Sequence, residues 1–552
     1  MTGPHAASIF QSLRTTENKA ESVPWDGSRR ARLRAVRAME LKYMTKKETH
    51  ASPNKREPNL PDAGRRGFIR CSAAWLGMPL LGSLAACGGG GGDGGSSGSG
   101  VSDPGGAPRP TPSARQAVYR LPAEDAPHAL TYMTFASGVD GIWAPVTSQS
   151  TDAGIDRVRA DLMDVAKAIG ATEPVNMLVL PVDLDAARVL LGNASVANPD
   201  LHARYAARAP GTGGITLVPL ADGFNDFWVR DTGCVFVRDT TNGNALNAIG
   251  FNFNGWGNAN TDGAGQSAET IPPALLAASN RSKAGKFFQA FSQDSRVAGW
   301  MAQTKGANLI RSTLTLEGGA IEFDGDGTAI LTESSVLHVN RNPQLFDIPN
   351  GVLANATLRP TARDTVLAEL QRTLGVRKII WLPGTATFPR GSGVGGAGGA
   401  STPAGESDIT NGHVDFYARF LAPGVVACCY DASNSTGERA LTDANRQRLA
   451  GQTDANGRPL KIVELVPPVS YGTSAGTTLN ERQMSHFAAG YINFYTCNGA
   501  IVMPKFNDAA ADAAAVAAIR PYAGNRAIVQ VDILGIASGG GGIHCSTREV
   551  PA

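Results

Sequence analysis

Apolar residues recur at helical spacing in several parts of the chain, and each such stretch precedes a short apolar run. Between Ile155 and Ile169 they lie three or four residues apart and end at Gly170, and a similar stretch runs from Val366 to Leu374. An alanine-rich helix is predicted near the C-terminus. A strand is predicted after each of these three helices, at residues 175–182, 378–382 and 526–533. Helix followed by strand, repeated along the chain, indicates an α/β fold.

The N-terminal part lacks this pattern and carries an export-like signal instead. Arg65 and Arg66 precede the uncharged stretch 71–86, which contains two glycines and a proline and ends at Cys87. About 16 residues are too few for a membrane-spanning helix, which needs about 20 apolar residues. The segment resembles a twin-arginine signal joined to a bacterial lipoprotein box, with Cys87 as the lipidated residue. The alternative is a chance apolar segment.

A tether is predicted after this signal, because residues 88–104 are nearly all Gly, Ser and Asp and cannot bury apolar area. We therefore expect an exported protein that meets a membrane only through a lipid anchor, facing the periplasm or the cell exterior. The predicted division is an extension without predicted structure, a signal with lipoprotein box, a linker and one catalytic domain, at residues 1–64, 65–87, 88–115 and 116–552.

Charge is distributed unevenly along the chain. Residues 1–70 carry 15 Lys and Arg against 7 Asp and Glu, whereas the remaining residues carry 35 against 41. The body is therefore mildly acidic, although the 552-residue chain has a net charge of +2. A nucleic-acid-binding protein would be expected to carry excess Lys and Arg on its folded part, so this class is disfavoured.

Cysteine usage gives no disulfide framework and no metal site. Without the predicted leader and with Cys87 lipidated, five of the seven cysteines remain, with no C-x-x-C spacing. At least one thiol is then expected to be unpaired or to pair between chains. The acidic loop 324–328 lacks the later ligands of a calcium-binding loop and is predicted to be a hairpin turn. No metal is expected.

Cys545 is a candidate nucleophile. It follows the glycine run 539–542, in which the absence of side chains lets a substrate approach the backbone closely. No Gly-Lys-[Ser/Thr] sequence follows, so a phosphate-binding loop is disfavoured. A buried structural cysteine is the alternative interpretation of Cys545.

Three other segments place ionisable residues beside glycines or bulky apolar residues. His413 and Asp415 are two residues apart, which would place them on one face of a strand as an acid/base and a carboxylate. Asp231 lies among bulky apolar residues and would need a cationic partner if buried, with Arg230 as one candidate. Glu317 precedes two glycines. For His413 alone, a structural histidine at a strand end is the alternative.

Together these segments resemble the family of agmatine deiminases and bacterial, Porphyromonas-type peptidylarginine deiminases. The resemblance extends over essentially the whole body, in eight segments that occur in order. These are YRLPAE with PH (119–124, 127–128), WVRDTG (228–233), FNGWG (253–257), EGG (317–319), NRNP (340–343), GHVD (412–415), YINFY (491–495) and GGGIHC (540–545). The resemblance implies the guanidine-modifying (pentein) fold, a five-bladed pseudo-symmetric α/β propeller with the active site near its axis and no metal or organic cofactor.

The resemblance also implies catalytic roles. Cys545 would attack the guanidine carbon, and His413 would protonate the departing ammonia and then activate water. Glu317 would hold His413 in position. Asp231 and Asp415 would bind the two sides of the guanidinium, whose N–H groups suit carboxylates.

Three further substrate contacts are implied at Trp228, Asn254 and Trp256. Two departures from the family pattern put substrate details in doubt. Cys234 replaces the usual Pro after the glycine of the WVRDTG segment, and Asn411 replaces the usual Asp before the GHVD segment.

The substrate is predicted to be a small cationic guanidine. No arginine lies between Arg238 and Arg281, where the peptidylarginine enzymes place arginines that bind a substrate carboxylate. Agmatine, converted to N-carbamoylputrescine and ammonia, is therefore favoured, although the export signal favours the alternative of peptidyl arginine converted to citrulline. A cysteine peptidase or amidase and a non-catalytic binding protein are the remoter alternatives.

Overall fold

The fold consists of small mixed sheets with helices between their strands. The structure, a computed structural model, describes residues 117–137, 153–206, 214–257, 291–351, 355–384, 410–434, 438–469, 473–474, 477–478 and 487–552, all within one compact unit. The predicted extension, export signal, Cys87 and linker lie outside the described residues. None of the helices that the structure describes is both long and apolar enough to cross a membrane.

The strands are short, mostly two to seven residues. In chain order, the described strands β1 to β21 are Tyr119–Arg120, His128–Thr134, Val175–Val179, Ile215–Pro219, Val235–Asp239, Ala245–Gly250, Asn308–Arg311, Glu322–Phe323, Thr328–Thr332, Phe346–Asp347, Thr357–Leu358, Lys378–Leu382, Ala418–Ala422, Val425–Cys429, Lys461–Leu465, Thr473–Ser474, Thr477–Thr478, Tyr495–Thr496, Ala500–Lys505, Ala527–Asp532 and Thr547–Pro551. The described α-helices α1 to α10 are Ala153–Gly170, Leu184–Leu190, Pro199–Tyr205, Val229–Thr232, Asp294–Thr304, Glu333–Val336, Ala362–Leu374, Arg439–Leu449, Ala509–Ile519 and Leu534–Ala537.

One motif recurs in five sheets of the described part of the chain. Each sheet contains an antiparallel strand pair whose second strand continues through a helix to a third, parallel strand. The five units are β5-β6-α5-β7, β8-β9-α7-β12, β13-β14-α8-β15, β18-β19-α9-β20 and β21-β2-α1-β3. In the last unit the C-terminal strand β21 pairs with β2, which brings the last strand of the described body beside its second strand. This order confirms the predicted α/β class.

The predicted helices are confirmed with small changes at their ends. Val158, Leu162, Val165 and Ile169 of α1 are fully buried, as their spacing requires. Helix α7 ends at Leu374, and its C-cap is Gly375, whose φ of 78° is the left-handed conformation that favours glycine.

The predicted strands also occur, and two of them, β3 and β20, are shorter than predicted. Strand β3 ends at Val179, before a 3-10 turn that begins at Pro181, because proline has no N–H for a sheet. Residues 324–327 connect the antiparallel strands β8 and β9, which confirms the predicted hairpin turn.

Candidate active site

Cys545 lies in a turn between the glycine run and β21. A short helix, α10, separates strand β20 from these glycines. The Cys545 backbone N–H donates to Asn493 Oδ1 at 3.3 Å, and Asn493 Nδ2 lies 3.4 Å from Cys545 Sγ. Cys545 is only 6% exposed, and this asparagine holds both its backbone and its thiol.

His413 contacts two carboxylates. Its Nε2 lies 3.1 Å from Glu317 Oε2, and its Nδ1 lies 3.7 Å from Asp231 Oδ2. Arg341 Nε donates to both oxygens of Glu317, at 2.8 and 3.1 Å. Glu317 therefore carries its own buried counter-ion while it orients the imidazole ring. Arg341 lies in the NRNP segment, but nothing in its spacing indicated this role.

The predicted strand at His413 and Asp415 is wrong. Asp415 lies in a 3-10 turn, Val414–Phe416, and His413 immediately precedes it. The physical reason lies in the two residues before His413, since Asn411 (φ 57°) and Gly412 (φ 86°) adopt left-handed conformations that a strand excludes. Both side chains nevertheless reach the site.

Asp231 accepts hydrogen bonds from neutral donors. Trp256 Nε1 donates to its Oδ2 at 2.8 Å and the Gly319 N–H to its Oδ1 at 3.0 Å. The expectation that Arg230 could be its cationic partner is wrong, because Arg230 pairs with Glu549 at 2.7 Å. The two residues are adjacent in helix α4, where neighbouring side chains point about 100° apart.

Asp415 lies between Cys545 and a second histidine. Its Oδ2 accepts from His544 Nδ1 at 2.8 Å and lies 3.5 Å from Cys545 Sγ. Its Oδ1 is buried and has no hydrogen-bond partner among the described residues. A buried carboxylate oxygen without a donor is costly, so this atom is suited to receive an N–H group of a ligand.

The site is electrostatically unusual. Burial, with the nearby Asp415 and Asp231 carboxylates, raises the pKa of Cys545 well above its usual range. Burial by itself lowers the pKa of His413, but Asp231 and Glu317 outweigh it and raise that pKa to about 9. Without a cationic ligand, Cys545 is thus held as a thiol and His413 as an imidazolium.

Open space between the acidic groups is provided by Gly319. A Cβ atom there would lie 2.5 Å from His413 Nδ1 and 3.0 Å from both Asp231 Oδ1 and Asp415 Oδ2. Any side chain at this position would occupy the region where the three groups converge.

The remaining residues that sequence analysis assigned to substrate contact take different places. Trp256 reaches the site through Asp231. Trp228 packs against the glycine run, since a Cβ on Gly541 would lie 2.3 Å from its ring. Asn254 bonds the backbone of Asn340 at 3.1 Å and of Gly257 at 2.8 Å. The structure thus brings Trp256 to the reactive groups and places Trp228 and Asn254 in supporting loops.

The two departures from the family pattern are accommodated without touching the nucleophile. Cys234 is fully buried in an apolar cluster. The Asn411 side chain donates to the Trp256 carbonyl at 3.4 Å.

The five cysteines of the described body, all buried, are free thiols. Within the described residues no cluster of three or more His, Cys, Asp or Glu could hold a metal ion.

Known proteins resemble this chain over most of its length. The family model for Porphyromonas-type peptidyl-arginine deiminase matches residues 120–389 and 400–551. A Streptomyces coelicolor protein with a provisional agmatine deiminase name is 30% identical over 435 residues, 79% of this chain and 99% of the relative. The agmatine deiminase of Stutzerimonas stutzeri is 28% identical over 453 residues, covering 80% and 98%.

The fold is shared as well. A solved structure of Enterococcus faecalis agmatine deiminase matches with a TM-score of 0.55 and 26% identity, over 78% of this chain and 96% of that chain. The family model covers well over half of the chain, and the relatives are matched over nearly their whole length. The chain therefore belongs to the Porphyromonas-type peptidyl-arginine deiminase family.

Proposed function

We propose that this protein is a cysteine-dependent hydrolase that deiminates a guanidinium group, with agmatine as the preferred substrate. The observation that carries the proposal is the convergence of Cys545 and His413 with two buried carboxylates, one of which has an oxygen without a donor. A planar cation with several N–H groups matches these carboxylate acceptors.

Substrate binding would activate the nucleophile. Asp231 and Asp415 accept N–H groups from the guanidinium through charge-assisted hydrogen bonds, worth roughly 1.5–3 kcal/mol each. The bound cation also offsets the carboxylates that oppose ionisation of Cys545, so the thiol releases its proton to solvent only when substrate is present.

The chemistry then proceeds in two steps. The Cys545 thiolate forms a bond to the central carbon while a C=N electron pair moves to nitrogen. His413 gives its proton to the departing amine, and ammonia leaves a thiouronium bound to Cys545. Now neutral, His413 takes a proton from water as the water attacks the same carbon. The C–S bond breaks, the sulfur takes its electron pair and recovers a proton from the hydroxyl group that water supplied, and a ureido product is released.

Agmatine is favoured over arginine-containing substrates by two observations. The relatives that this chain matches over nearly their whole length carry agmatine deiminase names. Residues 239–280 also contain no arginine to bind a substrate carboxylate. Peptidyl arginine is the second candidate, supported by the description of the matching family model and by the export-like N-terminus.

The test is a substrate panel. The purified protein is incubated with agmatine, free arginine and a peptide ending in arginine, and ammonia and ureido product are measured with the Cys545→Ala variant as control. We expect one mole of each product per mole of agmatine and no turnover by the variant. A folded protein that releases ammonia from none of the three would refute the proposal and leave a binding protein. Hydrolysis of a peptide or amide bond instead would favour a cysteine peptidase or amidase.

We further propose that the five sheets are the blades of a pseudo-symmetric propeller. Support comes from the five repeats of one strand–strand–helix–strand order and from the pairing of β21 with β2, which would close such a ring. Low-angle scattering and a solved structure would test this arrangement, and an open row of sheets would contradict it.

For location, we propose export by the twin-arginine route and anchoring through a lipid on Cys87. The support is the order of the arginine pair, apolar stretch and small residues before Cys87. Cys87→Ala should release the protein from the membrane fraction, whereas unchanged membrane association would contradict the anchor.

A further inference from the structure

A second carboxylate–histidine pair lies directly behind Asp415 and takes no part in the chemistry above. His544 Nδ1 contacts Asp415 Oδ2 at 2.8 Å, and His544 Nε2 contacts Glu124 Oε2 at 2.7 Å. His544 is 1% exposed. An ionised carboxylate only accepts hydrogen bonds, so the ring nitrogen that faces Asp415 is the donor in this contact.

Glu124 is itself held firmly. Its Oε1 accepts from Arg419 at 2.6 Å and from the Thr496 N–H at 3.1 Å, and Arg230 lies 3.6 Å from its Oε2. Arg419 also donates to Glu322 at 2.8 Å. The imidazole ring therefore has a fixed acceptor on the side away from the thiol.

The position of His544 matters because Asp415 has two conflicting tasks. Its Oδ2 lies 3.5 Å from the Cys545 thiol, where a bare carboxylate would oppose thiolate formation. Its Oδ1 has to remain free for a ligand. A donor on Oδ2 compensates part of the charge beside the thiol and fixes the rotation of the carboxylate.

We propose that His544, held by Glu124, is a positioning residue that fixes Asp415 with Oδ1 free for the guanidinium and Oδ2 compensated beside Cys545. The inference rests on the proposed deiminase function. His544 acts through Asp415, so its effect should appear in substrate binding and in the pH dependence of the reaction.

The test compares His544→Leu, His544→Asn and Glu124→Gln in steady-state kinetics across pH. His544→Leu removes the donor, and kcat/KM should fall roughly 10- to 150-fold, mainly through a higher KM. His544→Asn retains a short donor near Nδ1 and should recover most of this loss. His544 helps to hold the pKa of Asp415 below its usual range against burial, as His413 and Arg419 do. Without His544, the decline of kcat/KM on acidification should therefore begin at higher pH.

Glu322→Gln is the matched control, because Glu322 shares Arg419 with Glu124 but has no hydrogen bond to His544. Glu124→Gln should move the acid limb upward, and Glu322→Gln should not. An unchanged KM and acid limb in His544→Leu, or equal effects of the two Gln variants, would overturn the proposal. If His544→Leu does not fold, the Gln pair decides. Wild-type protein without guanidine turnover would refute the proposed function instead, so the two failures are distinguishable.

Discussion

Replacing Trp256 by phenylalanine removes one hydrogen-bond donor from Asp231 and leaves most of the local packing in place. The indole Nε1 donates to Asp231 Oδ2 at 2.8 Å, while the ring packs edge-on against Phe253 with centroids 4.9 Å apart. Trp256 has a left-handed φ of 58°, and another aromatic residue bears the same backbone cost. Trp256→Phe therefore tests the hydrogen bond rather than the loop.

The size of the effect follows from what Asp231 keeps. A hydrogen bond to a charged group is worth roughly 1.5–3 kcal/mol. Asp231 retains the Gly319 N–H and the nearby His413, so we expect the lower part of this range, about 1.5–2 kcal/mol, or roughly a 10- to 30-fold loss of kcat/KM. Burial raises the pKa of Asp231, and the Trp256 bond lowers it. Its loss should therefore move the acid limb of kcat/KM to higher pH.

The assay is ammonia release from agmatine at several pH values. Trp381→Phe is the control. Trp381 lies in strand β12, and the Arg363 guanidinium lies over its ring, 5.9 Å from the ring centroid. We expect the control to stay within about twofold of wild type. If the kcat/KM of Trp256→Phe also stays within about twofold of wild type and its acid limb does not move, the indole hydrogen bond does not stabilise the Asp231 carboxylate.

Three further predictions concern the nucleophile, the acid–base residue and the open space. Cys545→Ser should lower kcat at least about 10³-fold while agmatine affinity, measured by calorimetry, changes less than tenfold; retained turnover would reassign the nucleophile. His413 has a folded pKa of about 9 against the ordinary 6.5, so its stabilising contribution is complete below about pH 6.5 and is lost as pH rises towards 9. Urea unfolding should show wild type losing roughly 3 kcal/mol relative to His413→Gln across that range, and parallel curves would contradict the assignment. Gly319→Ala should fold but lose at least about 100-fold in kcat/KM. Gly299→Ala, whose new Cβ has no atom of the described residues within 4 Å, should keep full activity. Equal activity of the two variants would show that the space is not used.

The sequence predicted features that depend on local patterns. The apolar period from Ile155 to Ile169 and the glycine stop at Gly375 determined two helices almost to the residue. Both features depend only on residues that are close together in the chain, so the sequence alone is sufficient to predict these helices. The candidate nucleophile and acid–base residue were found through the segments that surround them, and the structure brings Cys545 and His413 to one site.

Partners distant in sequence were not predictable in the same way. Arg230 is next to Asp231 in the chain yet pairs with Glu549, because consecutive helical side chains diverge. Glu317 takes its counter-ion from Arg341, and His544 bridges to Glu124 across 420 residues. Such pairings are set by the packing of sheets against each other, which no local pattern encodes.

The most direct test of the central claim is mass spectrometry of protein quenched with acid during agmatine turnover. Cys545 should carry an adduct with the mass of agmatine less ammonia, on the peptide that contains residues 543–546, and the adduct should disappear when substrate is exhausted. Agmatine turnover with no adduct on Cys545, or with the adduct on another residue, would contradict the account.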